Sequence, residues 1–339
     1  MRTIEWRDGV VVTLDQTRLP LKEIYLKLRT ASDVAKAIRD MKIRGAPLIG
    51  AAAAFGLALT AYRSESSTRG ELMEELGISA ALIRSSRPTA VNLSWALDRV
   101  MERARASQGS AKETSIAVIE EASRIADEDV EANRAIGQYG KSLIQDGDTI
   151  LTHCNAGALA TVDYGTALGI VRASVEEGKS IRVMATETRP CLQGSRLTAY
   201  ELARDNIPVT LIVDSSVGYM MWKGLVNKVV VGADRIVRDA VINKVGTHTI
   251  AVLAKEYKVP FYVAAPTSTF DVDRISTQVT LEERSGKEVT HFGNVRVAPE
   301  KIAVINPAFD ITPLSLVTAI VTEKGVLRSP YEKAFKILS

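Results

Sequence analysis

"DGDTILTHCNAGALAT" (residues 146–161) marks the point where the hydrophobic period of this 339-residue chain changes. After Asp146-Gly147-Asp148, short apolar runs begin to alternate with helical patterns. "TILTHC" (149–154), "IRVMAT" (181–186), "VTLIVD" (209–214), "KVVVG" (228–232) and "FYVAA" (261–265) each read as a buried strand. Strands covered on both faces are continuously apolar rather than alternating. Helical patterns near 160–177, 194–204, 215–223 and 245–257 separate most of them. This alternation predicts an α/β domain built on a parallel, doubly wound sheet.

Upstream the reading is different. "TIEWRDGVVVTL" (3–14) reads as two short strands about an Asp8-Gly9 turn, a hairpin signal. From Ser32 to about Gln145 the pattern is helical. Ser32 is placed to cap "DVAKAIRDM", "PLIGAAAAFGLALTAY" (47–62) reads as an apolar helix, and "VNLSWALDRVMERARA" (91–106) as an amphipathic one. Residues 112–145 read as one long amphipathic helix. The expected organisation is therefore a mainly helical domain with a small β-hairpin over 1–145, and a parallel-sheet domain over 146–339.

Composition narrows the function. With 43 basic and 40 acidic residues spread along the chain, a net +3 offers no dense cationic block for a nucleic-acid backbone. Two cysteines, Cys154 and Cys191, are too few for a disulfide framework and lack zinc-site spacing, so a reduced, cytoplasmic protein is expected. The N-terminus has no apolar signal core, and no uncharged apolar run of about 18 residues appears, so no membrane association is expected.

In doubly wound sheets ligands bind beyond the carboxyl ends of the strands. The first four runs end in His153-Cys154-Asn155, Glu187-Thr188-Arg189-Pro190, Asp214-Ser215-Ser216 and Gly232-Ala233-Asp234-Arg235, delivering ionisable and polar groups to one rim. Taken alone, Cys154 reads either as a packed thiol or as a catalyst, and His153 as a catalyst or a hydrogen-bonded packing residue. Asp234 could equally cap a turn or pair with Arg235. No GxGxxG follows the first strand, which argues against a nicotinamide or flavin cofactor. Three segments place small residues and polar groups at expected helix starts, where backbone amides bind phosphate: Arg44-Gly45-Ala46-Pro47, Asn155-Ala156-Gly157-Ala158 and Asn243-Lys244-Val245-Gly246-Thr247. Arg87-Pro88-Thr89 repeats the theme.

In order along the chain, "DQTRLP" (15–20), "MKIRGAPLIG" (41–50), "RPTAVNLSWA" (87–96), "THCNAGALAT" (152–161), "ETRPCLQGSRLTAYEL" (187–202), "GADRI" (232–236) and "NKVGT" (243–247) resemble the methylthioribose-1-phosphate isomerase family. The wider family includes regulatory subunits of translation initiation factor 2B and ribose-1,5-bisphosphate isomerase. The resemblance implies a Rossmann-like C-terminal domain and a homodimer. It implies conversion of an aldose 1-phosphate to a ketose 1-phosphate in methionine salvage, with no metal and no organic cofactor. It implies Cys154 and Asp234 as the catalytic pair, and Arg44, Gly45, Ala46, Arg87, Gln193, Asn243 and Lys244 as substrate contacts. Ribose 1,5-bisphosphate or 5-deoxyribose 1-phosphate as substrate, or a non-catalytic regulatory role, are the alternatives. Two departures from the family pattern are Cys191, where arginine or another large residue is common, and "DRIVRDAVIN" (234–243), which lacks the usual Asn-Gly turn.

Overall fold

The computed structural model of the chain describes residues 1–335; the last four residues of the expected second domain lie outside those described. It divides into two compact units, one formed by 1–135 and 156–169, the other by 136–155 and Ile170 onward.

In the first unit β1 (Ile4–Arg7), β2 (Val10–Leu14) and β3 (Tyr25–Leu28) form an antiparallel meander. Asp8 and Gly9, both at positive φ, make the expected tight turn between the first two strands. Helices α1 (Ala31–Arg39), α2 (Ala46–Arg63), α3 (Arg69–Ser86) and α4 (Val91–Ala106) follow, then α5 (Ala111–Gly140), within which the division between the units falls. The cap of α1 is Thr30 rather than Ser32: Thr30 Oγ1 accepts the Asp33 N–H while the Asp33 carboxylate accepts the Thr30 N–H, a reciprocal capping box. Among the described residues α2 alone is long and apolar enough to cross a membrane, but 78% of it is buried inside the protein. It is the central core helix of this unit, packed against α1, α3 and α4.

The second unit is built on a seven-stranded sheet. Its strands are β4 (Thr149–Thr152), β5 (Arg182–Thr186), β6 (Val209–Ile212), β7 (Lys228–Val231), β10 (Phe261–Ala264), β15 (Ala319–Thr322) and β16 (Gly325–Leu327). The five runs expected to be strands are all present, and all pair in parallel. The order is β16-β15-β10-β7-β4-β5-β6, with only the edge strand β16 antiparallel. Between β7 and β10 the chain forms β8 (Arg235–Val237) and β9 (Ala240–Lys244), a hairpin turning at Arg238-Asp239. With β11 (Phe270–Asp271) and β14 (Phe309–Pro313) they make a second, four-stranded sheet. β12 (His291–Phe292) and β13 (Val295–Arg296) form a small separate ribbon. Helices α6 (Ala167–Glu176), α7 (Ala199–Arg204), α8 (Val217–Trp222), α9 (Thr247–Glu256), α10 (Lys287–Thr290) and α11 (Tyr331–Phe335) complete the described chain.

Candidate active site

The large sheet grows from β4 outward to β5 and β6 on one side, then restarts on the other side with β7. That reversal opens a crevice beyond the carboxyl ends of β4 and β7, the position where doubly wound sheets hold ligands. β4 runs into His153-Cys154, and β7, paired to it through Leu151 and Val229, runs into Gly232-Ala233-Asp234. Cys154 and Asp234 therefore leave adjacent strands at the switch point.

Cys154 leaves the strand in an unusual way. Its φ is 63°, in the left-handed region that a residue with a Cβ seldom occupies, and such outliers persist only where surrounding structure holds them. Here the Cys154 N–H donates to Thr188 Oγ1 at 2.9 Å, and its C=O accepts from Thr198 Oγ1 at 2.6 Å. The next residue is anchored too: Asn155 Nδ2 donates to Glu201 Oε1 at 2.9 Å, and Arg172 holds the buried Glu201 at 2.9 Å.

His153 proves to be the packing alternative. It is buried, its Nε2 lies 2.8 Å from the Val245 carbonyl and its Nδ1 2.7 Å from Thr186 Oγ1. A carbonyl can only accept, so Nε2 carries the proton and Nδ1 accepts from the threonine. Burial pulls its pKa down and keeps the ring neutral.

Asp234 is half-buried, and its carboxylate has no hydrogen-bond or ion-pair partner among the described residues. Arg235 turns instead toward Asp271, 3.5 Å away. The Asp234 N–H donates to the Ile242 carbonyl at 3.0 Å, which sets it beside Asn243. Asn243 Nδ2 donates to Thr247 Oγ1 at 3.0 Å. Lys244 is buried: its Nζ donates to the Ala308 carbonyl at 2.6 Å and lies 4.6 Å from the centre of the Phe309 ring. Gln193 is 4% exposed and its Oε1 meets no donor among the described residues, an acceptor that a hydroxylated ligand could satisfy.

Arg44, Gly45, Ala46 and Arg87 belong to the first unit. Gly45 starts α2 at φ 99° with no side-chain cap, and Arg44 is buried beside it. Arg87 is the C-cap of α3, half-buried. The other two expected phosphate cradles are corrected. Residues 156–166 form a loop with one 3-10 turn (Ala158–Ala160), and the helix begins only at Ala167. At 243–247 the helix start is already occupied: Asp310 Oδ2 accepts the N–H groups of Gly246 at 2.7 Å and His248 at 3.0 Å, filling the α9 terminus with a carboxylate. Burial pushes the Asp310 carboxyl up from the ordinary range, those two N–H groups opposing it. Pattern places Thr188 at the rim but does not single out Thr198, Phe309 or Asp310, which also shape the site.

Comparison with known proteins places these observations in a family. The profile of the Initiation factor 2 subunit family matches residues 42–329. A methylthioribose-1-phosphate isomerase of Geotalea uraniireducens is 53% identical over 341 residues, covering 99% of this chain and 98% of that protein. The crystal structure of 5-methylthioribose 1-phosphate isomerase from Pyrococcus horikoshii is 42% identical with a TM-score of 0.93, covering 99% and 95%. A structure described as the translation initiation factor eIF-2B delta subunit of Archaeoglobus fulgidus is 51% identical with a TM-score of 0.90, covering 100% and 99%.

Proposed function

Because the chain belongs to the Initiation factor 2 subunit family and is about half identical over its length to methylthioribose-1-phosphate isomerases, we propose that it is an aldose–ketose isomerase. Its substrate in this reading is 5-methylthioribose 1-phosphate, its product 5-methylthioribulose 1-phosphate, and its setting methionine salvage in the cytoplasm, as a homodimer. The observation that carries the reading is the pairing of Cys154 and Asp234 at the ends of adjacent strands at the sheet's switch point.

A phosphate on the anomeric oxygen prevents simple opening to a free aldehyde, so the ring C–O bond must break with the ester intact. Asp234, with no partner among the described residues, is assigned as the acid that protonates the ring oxygen. The hydrogen on C2 then moves to C1. Cys154 either takes it as a proton, giving an enol phosphate, or stabilises the reacting centre during a hydride shift. Oxidation at C2 and reduction at C1 balance within one molecule, so the reaction needs no external redox cofactor. In the second unit Gln193 and Asn243 suit the sugar hydroxyls and Lys244 the phosphate; in the first unit Arg44 and Arg87 suit an anion.

A regulatory-subunit role is the second reading, favoured by the description of the Archaeoglobus fulgidus structure. It gives no reason for a left-handed cysteine and a carboxylate without a partner among the described residues at the ends of adjacent strands. Purified protein assayed in parallel on the 1-phosphates of 5-methylthioribose and 5-deoxyribose and on ribose 1,5-bisphosphate separates the cases. The isomerase reading requires turnover, fastest on the methylthio sugar; turnover of none supports the regulatory role.

A further inference from the structure

The block "ETRPCLQGSRLTAYEL" reaches Cys154 at two points. Thr188 Oγ1 accepts the Cys154 N–H at 2.9 Å, and Thr198 Oγ1 donates to the Cys154 carbonyl at 2.6 Å. One peptide group on each side of the cysteine is thus held by a threonine hydroxyl, although the threonines are far from it in sequence.

The direction of each bond is fixed by what precedes it. His153 Nε2 donates to the Val245 carbonyl, so its Nδ1 must accept, and Thr186 spends its only hydroxyl proton there. Thr188 then points its own proton back at residue 186, to Oγ1 at 3.1 Å or to the carbonyl at 3.2 Å. Its lone pairs are left for the Cys154 N–H. Thr188 is itself held in place: its φ is 65°, rare for a β-branched residue, and Asp214 accepts the N–H groups of Thr188 and Arg189, each at 2.7 Å. Thr198 closes a π-helical stretch, Gly194–Thr198, at the head of α7. That stretch approaches so closely that a Cβ on Gly194 would lie 1.7 Å from the Thr186 carbonyl oxygen.

We infer that Thr188 and Thr198 are positioning residues, a two-hydroxyl clamp that holds Cys154 in its left-handed conformation and so fixes where its thiol stands at the switch point. Asp214 and the His153–Thr186 pair set the clamp. The inference rests on the catalytic assignment of Cys154 for its effect on turnover, but not for its effect on the thiol itself. Misplacing a reacting group by about 1 Å costs on the order of 100-fold.

The test compares Thr188→Val, Thr198→Val and the double variant with Thr188→Ser and Thr198→Ser. It reads kcat and KM, and the alkylation rate of Cys154 by iodoacetamide resolved by peptide mass spectrometry. Each valine is expected to lower kcat about 10- to 100-fold with KM little changed, and to alter the Cys154 alkylation rate several-fold. The serines, which keep the hydroxyl, should restore both. Should a valine variant not fold, Thr188→Ala and Thr198→Ala are read against the serines in the same way. Unchanged kcat and alkylation in folded valine or alanine variants overturns the clamp, as does an equal loss in the serines. Cys154→Ser, run alongside, separates the two claims: near-normal turnover there removes the catalytic assignment, while the alkylation comparison still decides the clamp.

Discussion

Asp129→Asn is the substitution whose effect follows most directly from charge burial. Asp129 keeps a fringe of solvent exposure, but protein surrounds it: Oδ2 accepts the Val162 N–H at 2.7 Å and Asn133 Nδ2 at 3.0 Å, and Asp163 adds like charge. Burial raises its carboxyl from the ordinary 3.8 to about 7. The folded chain thus holds this proton to higher pH than the unfolded chain. Its contribution to stability is greatest in acid and falls as pH rises from about 4 toward 7. From pH 5 to pH 7 the loss is ~3 kcal/mol at about 1.36 kcal/mol per pH unit, and the residual exposure reduces it to about 1–3 kcal/mol. Asparagine with its amide oxygen in the place of Oδ2 keeps the acceptor for both Val162 N–H and Asn133 Nδ2, and carries no charge to bury. The assay is urea unfolding at pH 5 and pH 8, followed by Trp6 and Trp95 fluorescence in a Trp222→Phe background, since Trp222 is exposed and lies in the other unit. Asp129→Asn should gain about 1–3 kcal/mol over wild type between pH 5 and pH 8. Parallel pH dependence in the two proteins would refute the reasoning.

Other perturbations test the parts to which ligand contacts are assigned. Gly45→Ala places a Cβ within 2.4–2.7 Å of Ala160 atoms at a φ of 99°, and should destabilise the first unit by about 2–5 kcal/mol and raise KM. Calorimetry and steady-state kinetics read both. Asp310→Ala removes the carboxylate capping α9 beside Lys244; a loss of about 1–2 kcal/mol and a higher KM are expected, with kcat little changed. With substrate deuterated at C2, release of label to water supports the enol route, and full retention at C1 favours the hydride shift.

What could be read in advance was whatever depends on local period. The five strands and the helices α2 and α4 were legible because runs of Val, Ile, Leu and Ala mark them, but β6 is not buried as expected: it is an edge strand that leaves Thr210 and Leu211 exposed. The rim followed from them, since topology alone brings the ends of β4 and β7 together. Chain-distant partners were not legible. Thr188 lies 34 residues from Cys154 and Asp310 lies 64 from Gly246, and nothing near a threonine or an aspartate in sequence announces a backbone partner so far away. The second sheet was missed because strands such as Phe270–Asp271 are too short for a period to register. "AGALAT" misled because its small residues suit a helix, whereas the loop turns back on itself, pairing Gly157 with Gly165.

Turnover of 5-methylthioribose 1-phosphate by the Cys154→Ser and Asp234→Asn variants tests the central claim most directly. Each should fall by several orders of magnitude while sugar-phosphate binding, measured by calorimetry, survives. Near-wild-type turnover in either variant contradicts the assignment of that residue, and in both it contradicts the account of the site.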